Sequence, residues 1–477
     1  MASWYSRSSF SSPRLSLPAQ SRRLPRLVIL AAVCLTACGS DPDPQPQPPP
    51  PPPPPQNEPP VWTDAPAEPI VIGQGQSASL PLTITDPEGD MTTVRVVVPA
   101  TAADVEAAIA ADTSAIALHA GYVTQGPLSL EVEIDDGKGG ITKATVNLEV
   151  RPIRWIGEET WAVNAGPEER EHAAVIVDAE GERAFLVGGS GYMPQFVPLG
   201  DVWRYDFATS AWTEETPTGD VPAPAGSRRV AKIPGQPIAY LYGGYGEGND
   251  NKDELYRATF DGPAVDFKLL TQTNPPPARS LHMFVYDAET DRFFAFGGFA
   301  GAVAGDTWMM KIEGNNAVWT ELAPTVSPSP RYGFFYGVDE VNGRAVLYSG
   351  AQGLAVLKPA QDTWALDMRS EPPAWELLAA GPEVGVPPGR RNGCGVFDPT
   401  GPRLIVFGGT ADGMTTAPGT FAFDARPGYS YWTELTLEGE PPLRSSGFGL
   451  YNPTADRTLL GFGNDSSIYR DWWILGY

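Results

Sequence analysis

Apolar and polar residues alternate along four segments in the first part of the chain, between about residues 57 and 153. Gly, Pro and Asp turns bound these segments, which are residues 78–84, 94–98, 128–134 and 142–150. Apolar side chains at every second position predict strands with one buried face. We therefore expect a small β-sandwich over residues 57–153. Residues 102–111 are rich in helix formers and predict a short helix on this sandwich.

From residue 154 onward the chain repeats a unit of roughly 55 residues. An arginine begins each unit, and in five of the six units a glycine pair or a degenerate form of it follows eighteen residues later. In the second unit Gly243-Gly244 follows after fifteen residues, which predicts a shortened turn. After a loop, an acidic residue precedes an aromatic or apolar one, and each complete unit ends on a large aromatic residue. The six arginines are Arg170, Arg228, Arg279, Arg331, Arg390 and Arg444.

These signals predict four strands per unit, with the arginine before the innermost strand and the aromatic residues between neighbouring sheets. A four-stranded sheet cannot bury both faces alone, so the six sheets must pack in a ring. The fifth unit departs from the pattern, since Gly419 and Phe421 stand at the acidic and aromatic positions. The sixth stops at Tyr477, before an outer strand. Residues 160–163 are predicted to supply that strand, with Trp155 as an alternative anchor.

This repeat resembles the Kelch repeat. The resemblance implies an all-β chain, with a six-bladed Kelch-type β-propeller over residues 154–477 preceded by the small β-sandwich. The sandwich itself resembles the cadherin-like or immunoglobulin-like modules of bacterial surface proteins. Its opening NEPPVW and its acid-glycine turns at residues 86–90 and 135–140 carry that second resemblance.

The first 37 residues have the layout of a secretory signal. Five arginines and no acid accompany an apolar run over residues 27–37, which is too short to cross a bilayer. Residues 35–38 resemble the lipobox of bacterial lipoproteins, which implies cleavage before Cys38 and its lipidation; an ordinary signal peptide is the alternative. By the same analogy, Gly39 favours the outer membrane or cell surface. The proline-rich residues 38–60 then predict a stiff spacer.

Cleavage of this signal would leave 28 basic and 57 acidic residues, a net charge of about −29. This charge argues against a nucleic acid partner, because phosphate binding needs a basic surface. With Cys38 lipidated, Cys394 would be the one free thiol of the mature chain, so neither an intrachain disulfide nor a cysteine-rich metal site is expected. Membrane contact is expected through the lipid anchor alone.

The six arginines are candidate ligand-binding residues. If they begin the innermost strands, they lie near one mouth of the central channel, where a ring of guanidinium groups could bind the carboxylates of acidic sugars. Alternatively, each arginine ties down a loop by donating to backbone carbonyls. The loops after the glycine pairs form a second candidate surface, whose aromatic residues could anchor a protein or a glycan, or could pack locally. These aromatic residues are Tyr192, Phe196, Tyr245 and Phe299.

Two relatives within the resemblance are enzymes. A copper radical oxidase of sugars needs histidine ligands and a tyrosine crosslinked to cysteine. This chain has three histidines, and Cys394 is predicted to lie inside a strand, so a copper site is not expected. A six-bladed sialic acid epimerase needs a carboxylate base beside an arginine clamp. Glu169 and Glu171 flank Arg170 and are candidates, although solvated turn residues explain them equally well. The histidines are His119, His172 and His282.

Five acids in the sandwich turns are candidate calcium ligands, because Ca²⁺ prefers clustered oxygens. The same acid-glycine sequences also satisfy tight turns with no metal. No other cofactor is expected. The five acids are Asp86, Glu88, Asp90, Asp135 and Asp136.

These features favour a non-catalytic binding module of the cell envelope that recognises a protein or a carbohydrate through propeller loops. The alternative is a sugar-modifying enzyme, such as a sialic-acid-type epimerase, that uses the arginine-ringed channel. A deep pocket with an acid beside an arginine would favour the enzyme, whereas an aromatic-rich loop face would favour binding.

Overall fold

The computed structural model describes residues 56–477 apart from residues 103, 163–164, 193–195, 354–358, 382–384 and 413–414. Cys38, the signal and most of the proline-rich segment lie outside the described residues. Residues 57–477 form one compact unit. Among the residues described, no helix is long and apolar enough to span a membrane.

Two sheets form a sandwich at the start of this unit. Leu80, Ile116, Leu130 and Val146 are buried between them in one apolar core. The first sheet contains Ile70–Gly73, Ile141–Arg151, Gly126–Asp135 and Thr93–Val97, in that order. The second contains Ser77–Pro81, Ala115–Ala120 and Val105–Ile109. Two further short strands, Val61–Trp62 and Ile84–Thr85, pair with each other.

The helix predicted at residues 102–111 is wrong. Val105–Ile109 is instead a strand that pairs antiparallel with Ala115–Ala120. Its alternate residues Val105, Ala107 and Ile109 pack against the sandwich core. Pairing and burial of one face therefore override the helical propensity of the alanines.

Six further sheets follow, each with four main antiparallel strands, so the all-β prediction is confirmed. We call them blades 1 to 6 and give their strands from the channel outward. Blade 1 contains Ala174–Asp178, Arg183–Tyr192, Phe196–Asp206 and Ala211–Glu215. Blade 2 contains Arg229–Lys232, Ile238–Tyr242, Leu255–Thr259 and Asp266–Leu269. Blade 3 contains Met283–Asp287, Arg292–Phe296, Thr307–Glu313 and Asn316–Leu322.

The second half of the ring continues the same pattern. Blade 4 contains Phe335–Asp339, Arg344–Tyr348, Thr363–Asp367 and Ala374–Ala379. Blade 5 contains Cys394–Asp398, Arg403–Phe407, Thr420–Asp424 and Trp432–Leu435. Blade 6 contains Phe448–Asn452, Arg457–Gly461, Asp471–Gly476 and, outermost, Arg154–Thr160. Thr218–Gly219 and Thr271–Thr273 add a short parallel strand to blades 2 and 3, and Glu247–Asn249 forms a 3-10 turn.

An apolar core lies between each pair of neighbouring blades. Val202 of blade 1, for example, shares a core with Leu241 of blade 2. The sixth core joins Leu186 of blade 1 to Leu450 of blade 6, so the ring is closed. Because each blade buries both faces against its neighbours, its strands read as nearly continuous apolar runs.

The outer strand of blade 6 comes from the beginning of the repeat region. Arg154–Thr160 pairs antiparallel with Asp471–Gly476, so the strand lies a few residues before the predicted residues 160–163. Trp155 lies opposite Leu475, as Trp319 lies opposite Met310 in blade 3. Trp161 follows the strand and packs with its ring centroid 5.4 Å from that of Trp212 in blade 1.

The sandwich is attached to the propeller at the hairpins that join first and second strands. In blades 1, 3 and 4 the arginine that begins the second strand donates to a carbonyl of the next blade, at Phe260, Met368 and Ala425 respectively. In blade 5 the corresponding Arg403 donates instead to the Gln74 carbonyl of the sandwich, at 2.7 Å. The sandwich thus supplies the acceptor that a neighbouring blade supplies elsewhere.

Side chains of the sandwich extend this attachment. Gln76 donates to the Asp456 carboxylate at 2.6 Å and to the Thr400 hydroxyl at 3.0 Å. Glu106 accepts hydrogen bonds from Arg426 at 3.0 Å and from Tyr429 at 2.7 Å. These polar contacts tie the sandwich to hairpins of blades 5 and 6, on the face opposite the loops that join second and third strands.

Candidate ligand-binding face

Four of the six arginines form salt bridges and hydrogen bonds inside their own blades. In blade 4, Arg331 donates to the Asp362 carboxylate through both terminal nitrogens, at 2.6 and 2.9 Å, and to the Ser349 carbonyl at 3.1 Å. The Trp364 indole donates to the same carboxylate at 2.8 Å. Equivalent clusters are Arg170, Asp201 and Trp203; Arg279, Asp306 and Trp308; and Arg444, Asp471 and Trp473.

These arginines are not arranged as a ring at the channel mouth. Arg331 is 0 % exposed, and its donors face a carboxylate and carbonyls of the same blade. Burial raises the pKa of Asp362, but hydrogen bonds from Arg331 and its charge outweigh burial, so the pKa lies below its ordinary value. The geometry matches the alternative in which each arginine ties down a loop, and it corrects the picture of exposed guanidinium groups.

The second unit has a normal turn and a displaced arginine. Ala225 stands four residues before the inner strand, where the other units have arginine. Arg228 comes three residues later and still donates to the Gly243 carbonyl, at 2.9 Å. Glu254 and Tyr256 take the acidic and aromatic positions, and the Arg228 guanidinium lies 5.3 Å from the Tyr256 ring centroid. The fifteen-residue spacing therefore reflects the arginine's position, which overturns the predicted shortened turn.

A ring of main-chain hydrogen bonds surrounds the channel just below this mouth. The residue two after each arginine position has a left-handed φ, between 53° and 63°. The Ser227 amide donates to the His172 carbonyl at 2.7 Å, and the Asn392 amide donates to the Gly333 carbonyl at 2.7 Å. A Cβ on Gly333 would stand 2.1 Å from the Asn392 amide oxygen, so a larger residue here would have to displace the Asn392 side chain. The ring residues are His172, Ser227, Leu281, Gly333, Asn392 and Ser446.

A cavity of about 200 Å³ occupies the channel beside this ring. Arg229 lies in its wall, with its guanidinium 5.7 Å from the Tyr336 ring centroid. The buried Nε of Arg229 has no hydrogen-bond partner among the described residues. Burial and the charges of Arg229 and Arg391 lower the pKa of His172 to about 3. The channel therefore carries positive charge in an otherwise acidic protein.

A second cavity, of about 320 Å³, opens at the mouth above the ring. We call it the mouth cavity. Tyr245, Phe299 and Tyr332 contribute aromatic walls, and Glu171 and Ser280 contribute polar groups. The rings of Phe299 and Tyr332 meet edge to face with centroids 6.3 Å apart. Such a mixture of aromatic surface and a few polar groups is typical of recognition sites.

Glu171 and Arg391 lie near the mouth, and each forms a hydrogen bond with a different side chain. Glu171 accepts a hydrogen bond from Asn464. Burial raises the pKa of Glu171 above its ordinary value, although that bond opposes the rise. Arg391 donates to the Tyr332 hydroxyl and stacks on its ring, with a guanidinium to centroid distance of 5.3 Å. No salt bridge joins Glu171 to Arg391 in the described part of the chain.

The structure places two of the four predicted loop aromatic residues in the mouth cavity. Tyr245 and Phe299 line the mouth cavity. Tyr192 and Phe196 were predicted in the loop after the first glycine pair, but they end two paired strands of blade 1. The side chains of Tyr192 and Phe196 lie outside the described part of the structure. The sequence analysis did not identify three residues of this region, Tyr332, Arg229 and Arg391. Tyr332 and Arg391 each directly follow a repeated arginine, as Glu171 does, so an alignment of the units at their arginines would have placed them at the equivalent position.

The acidic side chains of the sandwich accept hydrogen bonds from main-chain amides of their own turns. Asp86 Oδ1 accepts from the amides of Glu88 and Asp90 at 3.1 and 2.8 Å. Asp135 and Asp136 accept from turn amides in the same way, each at 2.7 Å. Within the residues described, no group of three or more His, Cys, Asp or Glu is placed to hold a metal ion. Calcium at these acids stays a prediction of the sequence.

Cys394 begins the inner strand of blade 5 and is fully buried. Burial raises the pKa of its thiol to about 12. The side chain therefore packs as a small apolar group in the core between blades 5 and 6.

Replacing His172 with asparagine should flatten the acid side of the stability profile. The pKa of His172 is lowered from 6.5 to about 3 in the fold. Between these values the unfolded chain binds a proton that the folded chain does not, so stability falls as pH falls, by up to about 1.4 kcal/mol per pH unit. Asn392 has a φ of 53° at the equivalent position of blade 5, so asparagine fits this backbone.

Thermal unfolding at pH 6.5 and pH 4 measures this effect. We expect the melting temperature to drop less between the two pH values in His172→Asn than in the parent chain. Equal drops would show that His172 is protonated in the folded state.

Comparison with known proteins finds a family model that matches part of the repeat region. The family model described as the KLHDC2/KLHL20/DRC7 Kelch-repeats domain matches residues 229–464. Adagio-like protein 1 of Oryza sativa subsp. japonica is 26 % identical over 279 residues, which is 55 % of this chain and 42 % of that protein. Adagio protein 3 of Arabidopsis thaliana is 27 % identical over 304 residues, 62 % of this chain and 47 % of that protein. The chain thus spans less than half the length of these plant relatives.

Two solved structures align with large parts of this chain. The structure of YjhT aligns with a TM-score of 0.48 at 12 % identity, covering 65 % of this chain and 95 % of that one. A fungal alcohol oxidase of the AA5 family, in complex with copper, aligns with a TM-score of 0.45 at 13 % identity, covering 73 % of this chain and 67 % of that one.

Proposed function

We propose that this Kelch-repeat propeller is a non-catalytic binding module that recognises a protein or a carbohydrate at its channel mouth. The mouth cavity carries the proposal, because Tyr245, Phe299 and Tyr332 surround it while most of the repeated arginines are buried inside blades. Aromatic side chains provide large contact area at low entropic cost. Kelch domains generally mediate protein interactions, which favours a protein as the partner.

A sugar-modifying enzyme is the second candidate. The raised pKa of Glu171 supports it, since a carboxyl group titrating nearer neutrality suits proton transfer. However, Glu171 is bonded to Asn464, Arg391 is bonded to Tyr332, and no salt bridge joins Glu171 to an arginine among the described residues. An acid separated from the arginines favours recognition over catalysis. Turnover of acidic sugars that is lost in Glu171→Gln would favour the enzyme instead.

We further propose that the module is a lipid-anchored protein of the bacterial envelope, in the outer membrane or at the cell surface. The signal-like residues 1–37 and Cys38 support this proposal. The sandwich, which resembles bacterial surface modules, contacts the hairpins opposite the mouth.

The mature chain should begin at Cys38 and carry lipid there. Mass spectrometry of the envelope protein should give an N-terminal peptide with added acyl mass, and Cys38→Ser should release the protein from the membrane fraction. A mature chain that begins elsewhere, without acyl mass, would replace the lipoprotein proposal with an ordinary signal peptide.

Ligand selection tests the binding face. We expect the purified mature chain to enrich ligands from a displayed peptide library or a glycan array, and Phe299→Ala with Tyr332→Ala to weaken their binding at least about tenfold, since central aromatic anchors typically contribute 1–4 kcal/mol. Val341→Ala is the matched control, because Val341 is an exposed apolar residue on the opposite face. Ligands whose binding depends on Val341 and not on the mouth would overturn the proposal.

A further inference from the structure

Blade 5 contains a buried arginine with no carboxylate partner. Arg390 is 1 % exposed and keeps the loop ties of the other arginines, donating to the carbonyls of Pro388, Gly408 and Pro418 at 3.1 to 3.2 Å. Gly419 stands where blades 1, 3, 4 and 6 have aspartate. Among the described residues, no carboxylate oxygen forms a salt bridge with Arg390.

Phe421 occupies the space of the missing carboxylate. It stands at the tryptophan position of the repeat, and one of its ring carbons lies 2.7 Å from where a Cβ on Gly419 would be. The Arg390 guanidinium lies 4.9 Å from the Phe421 ring centroid. A cation over an aromatic face is a weaker partner than a bidentate carboxylate. Burial accordingly lowers the pKa of Arg390.

A cavity of about 530 Å³ lies beside this arginine, and we call it the blade 5 pocket. Its size falls within the usual range of small-ligand sites. Val386, Pro388 and Phe421 provide apolar walls, and Thr416 and Glu434 provide polar ones. The pocket lies between the loop that enters blade 5 and the loop that joins its second and third strands.

We propose that the blade 5 pocket binds a carboxylate, which gives Arg390 the anionic partner that an aspartate provides in blades 1, 3, 4 and 6. In blades 1, 3, 4 and 6 both terminal nitrogens of the arginine donate to the carboxylate, whereas the described hydrogen bonds of Arg390 use only Nε and one terminal nitrogen. The remaining donor is available to a carboxylate that enters the pocket. The carbon skeleton of the ligand packs on Phe421 and Pro388. The carboxylate belongs to a sugar acid or to a protein chain terminus.

Glu434 limits the strength of this site. It lines the pocket, is exposed, and its negative charge favours the charged form of Arg390. The same charge repels an entering carboxylate. Neutralising Glu434 should therefore strengthen carboxylate binding without disturbing the interior of the blade.

Titration calorimetry of the mature chain tests the proposal with pairs of probes that differ by one negative charge. The pairs are glucuronate with glucose, and a short peptide with a free or an amidated C-terminus. We expect at least one carboxylate to bind about tenfold or more tightly than its neutral match. Glucuronate binding identifies a sugar acid as the ligand, and peptide binding identifies a protein terminus; both support the site.

Four variants assign the binding to this pocket. Arg390→Gln should abolish the preference for the carboxylate, and Glu434→Gln should raise the affinity severalfold. Ala411→Trp places a large ring at an exposed position of the pocket wall and should block binding with the blade intact. Arg229→Gln is the matched control, since it removes the unpaired cation of the channel.

Three results would overturn the proposal: no carboxylate preference in the parent chain, a preference unchanged in Arg390→Gln or Ala411→Trp, or a preference lost in Arg229→Gln. The last result would move the carboxylate site to the channel. Because the mouth residues are not altered in any of these variants, failure of this proposal leaves the proposed recognition at the mouth intact.

Discussion

Replacing Asp362 with alanine should lower the free energy of unfolding by about 3–5 kcal/mol, because the fully buried Arg331 loses its carboxylate. The Trp364 indole loses an acceptor at the same time. The remaining carbonyl acceptors of Arg331 do not neutralise its charge. Urea unfolding of the mature chain measures the change.

The control for this measurement is Asp261→Ala, since Asp261 is exposed in a hairpin of blade 2. We expect a change below about 0.5 kcal/mol there. A loss below about 1 kcal/mol in Asp362→Ala would mean that the arginine clusters contribute little to the blades, and would reopen a role for them in ligand binding.

Replacing Arg403 with methionine should have a comparably large effect and should also loosen the sandwich. Arg403 is 1 % exposed and donates to Asp398 at 2.6 Å and to the Gln74 carbonyl at 2.7 Å. Its removal leaves the buried Asp398 carboxylate without its cation, at a cost of about 3–5 kcal/mol. It also removes the hydrogen bond from Arg403 to the Gln74 carbonyl, one of the links between the sandwich and blade 5.

Scanning calorimetry distinguishes the two consequences. We expect one transition for the parent chain and two for Arg403→Met, in which the sandwich and propeller melt separately. Arg95→Met is the control, since Arg95 is exposed on a sandwich strand. A single transition in Arg403→Met with an unchanged melting temperature would show that the sandwich is held by other contacts.

The regular spacing of the repeat was sufficient to predict the blades, because each unit must place an arginine, a glycine pair and aromatic residues at fixed positions of the same sheet. The spacing was not sufficient to assign every repeat position within a unit to the correct residue. The repeat was aligned on its arginines, so Ala225 at the arginine position was missed, because Arg228 three residues later reaches the Gly243 carbonyl in its place. Trp155 and Trp161 presented the same difficulty, because both pack between blades.

The binding face was predicted only in part. Tyr245 and Phe299 follow glycine pairs, so their position in the repeat places them at the mouth. Arg229 faces the channel because it begins an inner strand one residue after a displaced arginine, which no local pattern indicates. The blade 5 pocket had a sequence signal in Gly419 and Phe421, but its meaning depended on the buried Arg390 beside them.

Hydrogen–deuterium exchange of the mature chain with and without a selected ligand tests recognition at the mouth most directly. Our account predicts slower exchange at residues 245–252 and 299–305, and unchanged exchange at the hairpins of residues 178–183 and 339–344 on the opposite face. Protection confined to those hairpins or to the sandwich, with the mouth loops unchanged, would contradict it.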